Sequence, residues 1–286
     1  MTGQAVTAAP LWNPGRAGIA VANEVGKGLR QAWAERVQIL IELPLFVAWT
    51  LLLGVLIGKG EQAATGRRLD WSFDPYHMTW ILLGMVAFTF AYLHVQKMFW
   101  RLLGEIQTGT LEQTYLSPLP SWLHVAAGRT AAAVVETAIV VAAMYGITSL
   151  FVDLRLTWRV DVLVPLGFLL LGSAGFALAV AGLTLVWKRI EMLNDLLLLA
   201  VMFFSGAFLP LDRMPGWAAD MAMPLALTHG IAGLRTTMLD GEPIPFWGPG
   251  GLAWLTATSV GWLIAGGVAF TLCERVAKRH GSLTRY

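Results

Sequence analysis

Six runs of apolar residues divide the chain, at about 37–57, 77–103, 123–151, 162–187, 192–209 and 248–273. Each predicts a helix that crosses a bilayer, for which about 20 apolar residues suffice. Polar punctuation between them is short. Ahead of the first run, residues 1–18 are rich in Gly, Pro and Ala and predict a flexible N-terminus. Residues 19–36 change period. Ile19, Val21, Ala22, Val25, Leu29, Ala32 and Trp33 recur at helical spacing, and Glu24, Lys27, Arg30, Gln31, Glu35 and Arg36 take the other face. That pattern predicts an amphipathic helix, either lying in the headgroup plane or standing in solution. Residues 37–286 then form one membrane domain.

Two stretches break the apolar rhythm. The first is Gly104 to Pro120, reading GEIQTGTLEQTYLSPLP, between the second and third runs. It is too polar for lipid and too short for a domain. A short helix from about Leu103 to Leu116 is expected there, with Glu105 and Glu112 near one face and Leu111 and Tyr115 four residues apart as an apolar anchor. It reads either as a solvated elbow or as a helix that docks into a groove of a partner. The second is residues 210–247, half apolar, with Pro210, Pro215, Pro224, Pro243 and Pro245. Two short helical runs are expected, Trp217–Met223 and Ala226–Leu239, neither able to span. They form either a re-entrant or surface-lying hairpin, or an ordinary extracytoplasmic loop carrying a helix; broken helices at membrane depth persist only when protein covers them or they line a wet cavity.

Composition agrees with the pattern. Of 286 residues 56% are hydrophobic and 13% charged, about half the charge of a soluble domain. Thirteen tryptophans, most near the ends of the apolar runs, fit interfacial belts. The net charge of +2 gives no sign of a nucleic-acid partner, since the basic residues cluster at span ends. Thirteen Lys and Arg lie on the side shared by both termini and residues 104–120, against seven on the other. The positive-inside rule puts that side in the cytoplasm. Near the third run, Arg129 and Glu136 sit about two turns apart on one face, too far to touch directly but able to satisfy each other through an intervening group.

Catalytic chemistry finds little support. The five histidines, His77, His94, His124, His229 and His280, form no HExxH or paired His–carboxylate spacing, and Ser173 and Ser205 have no sequence partner. No metal ligand set is expected, and the single Cys273 leaves no disulfide within the chain. No GxxxxGK[ST] phosphate loop occurs, so ATP-driven work requires another chain. An intramembrane enzyme and an ion-coupled carrier stay as alternatives of another class. The carrier is poorly served, because the fourth to sixth runs carry no mid-span charge.

Two motifs carry a resemblance. Glu105, Gly109, Thr110, Leu111, Glu112 and then Ser117, Pro118, Leu119, Pro120 resemble the cytoplasmic coupling segment of ABC-2 type transporter permeases. Ser205–Gly206, Pro210, Met214–Pro215, Trp217, Pro224 and Arg235 are similar to the proline-punctuated extracytoplasmic hairpin before the last span of such permeases. The resemblance implies an all-α polytopic fold with six transmembrane helices. Residues 19–36 would be its interfacial helix, 104–120 its cytoplasmic coupling helix and 210–247 its re-entrant hairpin. It implies a multi-pass protein of the cell membrane, paired with a second permease subunit and with ABC ATPase subunits. ATP and Mg would sit on the ATPase and no cofactor on this chain. Coupling to the ATPase would involve Glu105, Gly109, Thr110, Leu111, Glu112, Tyr115, Lys188 and Arg189. Substrates implied are drugs, lipids or lipid-linked glycans moved outward. Met85, Phe88, Phe203, Phe204 and Phe208 make a greasy path or, equally, a dimer interface; the apolar lining favours an amphiphile over a glycan.

Overall fold

The computed structural model of the protein describes residues 14–34, 36–64, 74–111, 127–187 and 190–280. Among these residues the regular structure is entirely helical: α1 Pro14–Ala34, α2 Arg36–Ala64, α3 Pro75–Thr108, α4 Arg129–Thr148, α5 Leu163–Val186, α6 Glu191–Phe204, α7 Gly216–Ala222, α8 Ala226–Leu234 and α9 Leu252–His280. Four of these, α3, α4, α5 with its lead-in from Val160, and α9, are long and apolar enough to cross a membrane. The first and fifth predicted spans are shorter. In α2 the apolar part is Leu43–Leu56, and α6 has 14 residues. At 1.5 Å per residue α6 is roughly 21 Å long, below the ~30 Å hydrocarbon thickness. It stops where Ser205–Gly206 turn the chain, Gly206 having a φ of 79°, so residues 205–209 are irregular and not the last turns of a span.

α3 is the axis of the fold. Its 34 residues reach roughly 51 Å, so it must extend beyond the bilayer at one end. Asp74 caps its start, its side chain accepting from the Tyr76 N–H, with Pro75 in the first turn. Gly109, at φ 70°, ends it in the left-handed conformation, and its N–H bonds back to the Ile106 carbonyl. Gly104–Thr108 are therefore the last turn of α3 and not the start of a separate short helix.

Cross-contacts fix the directions. His94 meets Ser173 and the Val95–Ile106 side chains cluster with Ala177–Leu185, so α5 runs parallel to α3. α9 follows α5, because Gly172 faces Ser259, Gly175 faces Trp262 and Gly182 faces Phe270. α4 runs antiparallel, Arg129 lying beside Glu105 and Glu136 beside Arg101. α6 also opposes α3: Asp195 meets Gln96 and Phe208 packs near Phe88. The C-terminal ends of α3, α5 and α9 and the N-terminal ends of α4 and α6 thus share one end of the bundle, and α1 lies there too.

Packing follows small residues. At Gly175 and Gly266 the α5 and α9 backbones touch so closely that a Cβ on either would collide with the other chain segment, the close approach that holds apolar helices together in lipid. Leu40, Ile41, Leu45, Leu52, Ile139, Ile264, Val268 and Leu272 are exposed on the outside of the bundle, the reverse of a soluble surface. The two short helices between α6 and α9 fall where the sequence expected them, at Gly216–Ala222 and at Ala226–Leu234 continued by a π-turn over Arg235–Leu239. α8 is buried along nearly its whole length, wedged among α3, α5 and α9.

Candidate functional site

Between α2 and α6, floored by α3, lies an open cleft of about 500 Å³. Its lining is Leu45, Phe46 and Trp49 from α2, Met85, Phe88 and Tyr92 from α3, and Asp195, Leu198, Leu199 and Met202 from α6. Met85, Phe88 and Tyr92 recur at three and four residues, so one stripe of α3 supplies the floor. Tyr92 anchors it, with its ring 6.1 Å from Phe46 and 5.7 Å from Phe88. One end of the cleft is polar. Gln96 donates to Asp195 Oδ1 at 3.1 Å and its Nε2 also lies 3.4 Å from the Tyr92 hydroxyl, while Asn194 donates to Gln96 Oε1 at 3.1 Å. Among the described residues the lining is greasy along its length and carries one carboxylate, at its polar end.

Just beyond that end, six helix positions form a charge network, buried except at Lys27. Lys97, Arg101 and Glu105 repeat every four residues along α3 and face Arg129 and Glu136 of α4. Glu105 is held by Arg129 and, at 2.8 Å, by Lys27 of α1. Glu136, only 3% exposed, is held by Arg101 and, at 3.1 Å, by Lys97. In an environment this dry an unpaired charge would cost several kcal/mol, on the order of 3–5, so the pairs hold α1, α3 and α4 in one register. α1 can approach because Gly28 has no side chain; a Cβ there would run into Glu136, Ala132 and Arg101. The helix therefore turns Ala20 and Gly28 toward the protein, reaches Glu105 with the exposed Lys27, and leaves Ile19, Leu29 and Trp33 exposed.

At the opposite end Arg235 closes the short-helix segment onto the bundle. Its Nε donates to the Trp80 carbonyl at 3.1 Å, its two terminal nitrogens donate to Gly206 and Ala207 at 2.9 and 3.0 Å, and the guanidinium lies 3.3 Å from the centre of the Trp80 ring. The Gly206 and Ala207 carbonyls are free to accept because α6 has already ended. One planar fork thus ties α3, the end of α6 and the segment after α8 together.

A model of the ABC-2 type transporter family matches residues 25–239, three quarters of the chain. The chain belongs to the ABC-2 type transporter family. No curated protein matches it. The matched span takes in α2 to α8, including the cleft, the charge network and Arg235. Membership makes it the membrane-spanning, non-catalytic part of an ABC-type transporter.

The ABC-2 site residues expected from sequence fall into separate places. Met85 and Phe88 line the cleft. Phe208 packs beside Phe88 with ring centres 6.5 Å apart, Phe204 sits against Trp217 at 5.9 Å, and Phe203 is exposed on the outside of α6. At the α3 terminus Gly109 and Thr110 are exposed, but Glu105 and Leu111 face inward. Glu105 serves the charge network, and Leu111 is fully buried in the core with Ile106, Leu185 and Ala277. Leu111 is not an outward anchor here, because the turn at Gly109 folds it back onto the bundle. Glu112, Tyr115, Lys188 and Arg189 lie outside the described residues. In the segment after α6, Pro210 begins a short turn, Pro215 precedes α7, Trp217 is exposed on α7 and Pro224 accepts at its carbonyl from the Trp262 ring N–H at 2.8 Å. Arg129 and Glu136 do not satisfy each other through an intermediate; each takes its partner from α3. Sequence reasoning missed Trp49, Tyr92, Gln96 and Asp195 as lining or anchoring residues.

Proposed function

We propose that this ABC-2 chain is the permease subunit of an ATP-driven exporter and that the cleft between α2 and α6 receives a hydrophobic or amphiphilic molecule, a drug or a lipid. In this reading it works in the cell membrane with a second permease subunit, both termini cytoplasmic and six spans in all, α2 and α6 counting as the first and fifth. ATP and Mg bind to separate ABC ATPase subunits. The observation that carries the reading is the cleft itself: about 500 Å³, within the roughly 300–1,000 Å³ usual for small-molecule sites, and apolar except at one end. A glycan is less well served, because among the described lining residues only Asp195, the Tyr92 hydroxyl and the Trp49 ring N–H can pair sugar hydroxyls.

The coupling surface is the end of the bundle that carries the network. Gly109 and Thr110, with Glu112, Tyr115, Lys188 and Arg189, meet the ATPase. Glu105 acts one step inside that surface. A push on the α3 terminus passes through Glu105 to Arg129 on α4 and Lys27 on α1, and along α3 to the cleft floor. The α7–α8 segment, pinned by Arg235, covers the outer end as a re-entrant hairpin; the burial of α8 supports this.

The test is accumulation of a neutral hydrophobic fluorophore in inverted membrane vesicles prepared from cells with and without this chain. ATP-dependent accumulation that needs the chain and resists a protonophore is expected. Accumulation that ignores ATP and collapses with the protonophore would instead establish an ion-coupled carrier.

A further inference from the structure

We infer that the cleft selects organic cations: its occupant is an amphiphile with an apolar or aromatic body and a positive charge, the charge seated at Asp195. This rests on the reading of the cleft as a substrate site and adds the sign of the substrate. Among the described residues ten line the cleft, and of these Asp195 is the charged one. Among the described residues its carboxylate takes one hydrogen bond, from the neutral amide of Gln96, and no described lysine or arginine pairs with it. The nearby cations of the charge network are committed elsewhere: Lys97 and Arg101 to Glu136, and Arg129 and Lys27 to Glu105. A carboxylate that no described lysine or arginine neutralises, at the end of an apolar cleft, favours a positive ligand group and repels a negative one.

The aromatic lining points the same way. Phe46 and Trp49 stand on the α2 wall of the cleft and Phe88 and Tyr92 on its floor. Ring faces attract cations, by ~0.5–1 kcal/mol at exposed sites and about 2 when dry. The apolar stretch from Leu45 to Met202 takes the hydrophobic body, and Gln96, fixed by Asn194 at 3.1 Å, holds the carboxylate toward the cleft end. An anion of the same shape would meet the same walls and lose on both charge interactions.

Two ions of matched shape test this. Saturable binding of tetraphenylphosphonium, tetraphenylborate and the neutral fluorophore N-phenyl-1-naphthylamine is measured on the full chain in nanodiscs of zwitterionic lipid. Tetraphenylphosphonium is expected to bind at least tenfold more tightly than tetraphenylborate. Asp195→Asn should weaken the cation about tenfold, leave the neutral probe within twofold, and abolish the preference between the two ions; Asp195→Glu should keep it. Unchanged binding of the neutral probe shows that the variant is folded. Equal affinities for the two ions, or a silent Asp195→Asn, overturn the charge selection while leaving the cleft as the site. Leu199→Trp, which fills the cleft, should weaken all three probes. Should it weaken none, the cleft is not the binding site and the underlying reading falls with the inference.

Discussion

Replacing Arg235 with alanine removes the fork that holds the outer segment to the bundle. Three charge-assisted hydrogen bonds disappear, to the carbonyls of Trp80, Gly206 and Ala207, together with the stack on the Trp80 ring. Hydrogen bonds to charged groups contribute about 1.5–3 kcal/mol each. Three at the lower value give roughly 4.5 kcal/mol, and water entering the vacated space returns part of it by satisfying the carbonyls. A net loss of about 3–4 kcal/mol results. For a chain of this size each kcal/mol lowers the melting temperature by about 2–4 °C, so a drop of roughly 6–16 °C is expected. Arg235→Lys keeps the charge but cannot fork to three carbonyls, and should lose about half as much. Cys273 is the only cysteine and is partly buried in α9, so a thiol-reactive fluorophore reports unfolding of the purified protein during heating. A melting temperature for Arg235→Ala within about 2 °C of the parent would refute the clasp.

Other consequences of the packing are as direct. Glu136→Gln removes the carboxylate that Arg101 and Lys97 share in a dry site and should cost about 3 kcal/mol in the same thermal assay; an unshifted transition would show that water already screens the network. Gly175→Leu places a side chain where the α9 backbone at Trp262 passes, and should abolish a monodisperse size-exclusion peak, whereas normal yield and elution would contradict the close contact. In a Cys273→Ser background, Lys27→Cys should react with a membrane-impermeant maleimide in inverted vesicles and not in intact cells; the reverse pattern would invert the orientation.

Much of the architecture was legible in hydrophobic periodicity. The second, third, fourth and sixth apolar runs became long helices, and the two short helices between α6 and α9 formed within a few residues of their expected bounds, since prolines at 215 and 224 leave little choice. The fifth run was misjudged at its end. Residues 205–209 are apolar enough to extend a helix, but Ser205–Gly206 turn instead and Arg235, 28 residues away, takes up the freed carbonyls. Of the charge ladder only Arg129 and Glu136, seven apart, were read as a pair, although Lys97, Arg101 and Glu105 stand at four-residue spacing. What the sequence did not reveal was that α4 lies antiparallel to α3 at that height, which pairs the ladders to each other and gives Glu105 partners within the chain. Leu111 illustrates the same limit, because a Leu four residues from a Tyr reads as an outward anchor until the turn at Gly109 folds it inward. The cleft depended on tertiary arrangement altogether. Trp49, Tyr92 and Asp195 come from three helices and share no local pattern.

The central claim is that the space between α2 and α6 is where the substrate passes. Cysteines at Trp49 and Leu199 in a Cys273→Ser background, bridged across the cleft by a reducible bis-maleimide, test it in inverted vesicles. ATP-dependent accumulation of the neutral fluorophore should fall to background on bridging and return when the linker is reduced. Undiminished accumulation by fully bridged protein would contradict the account.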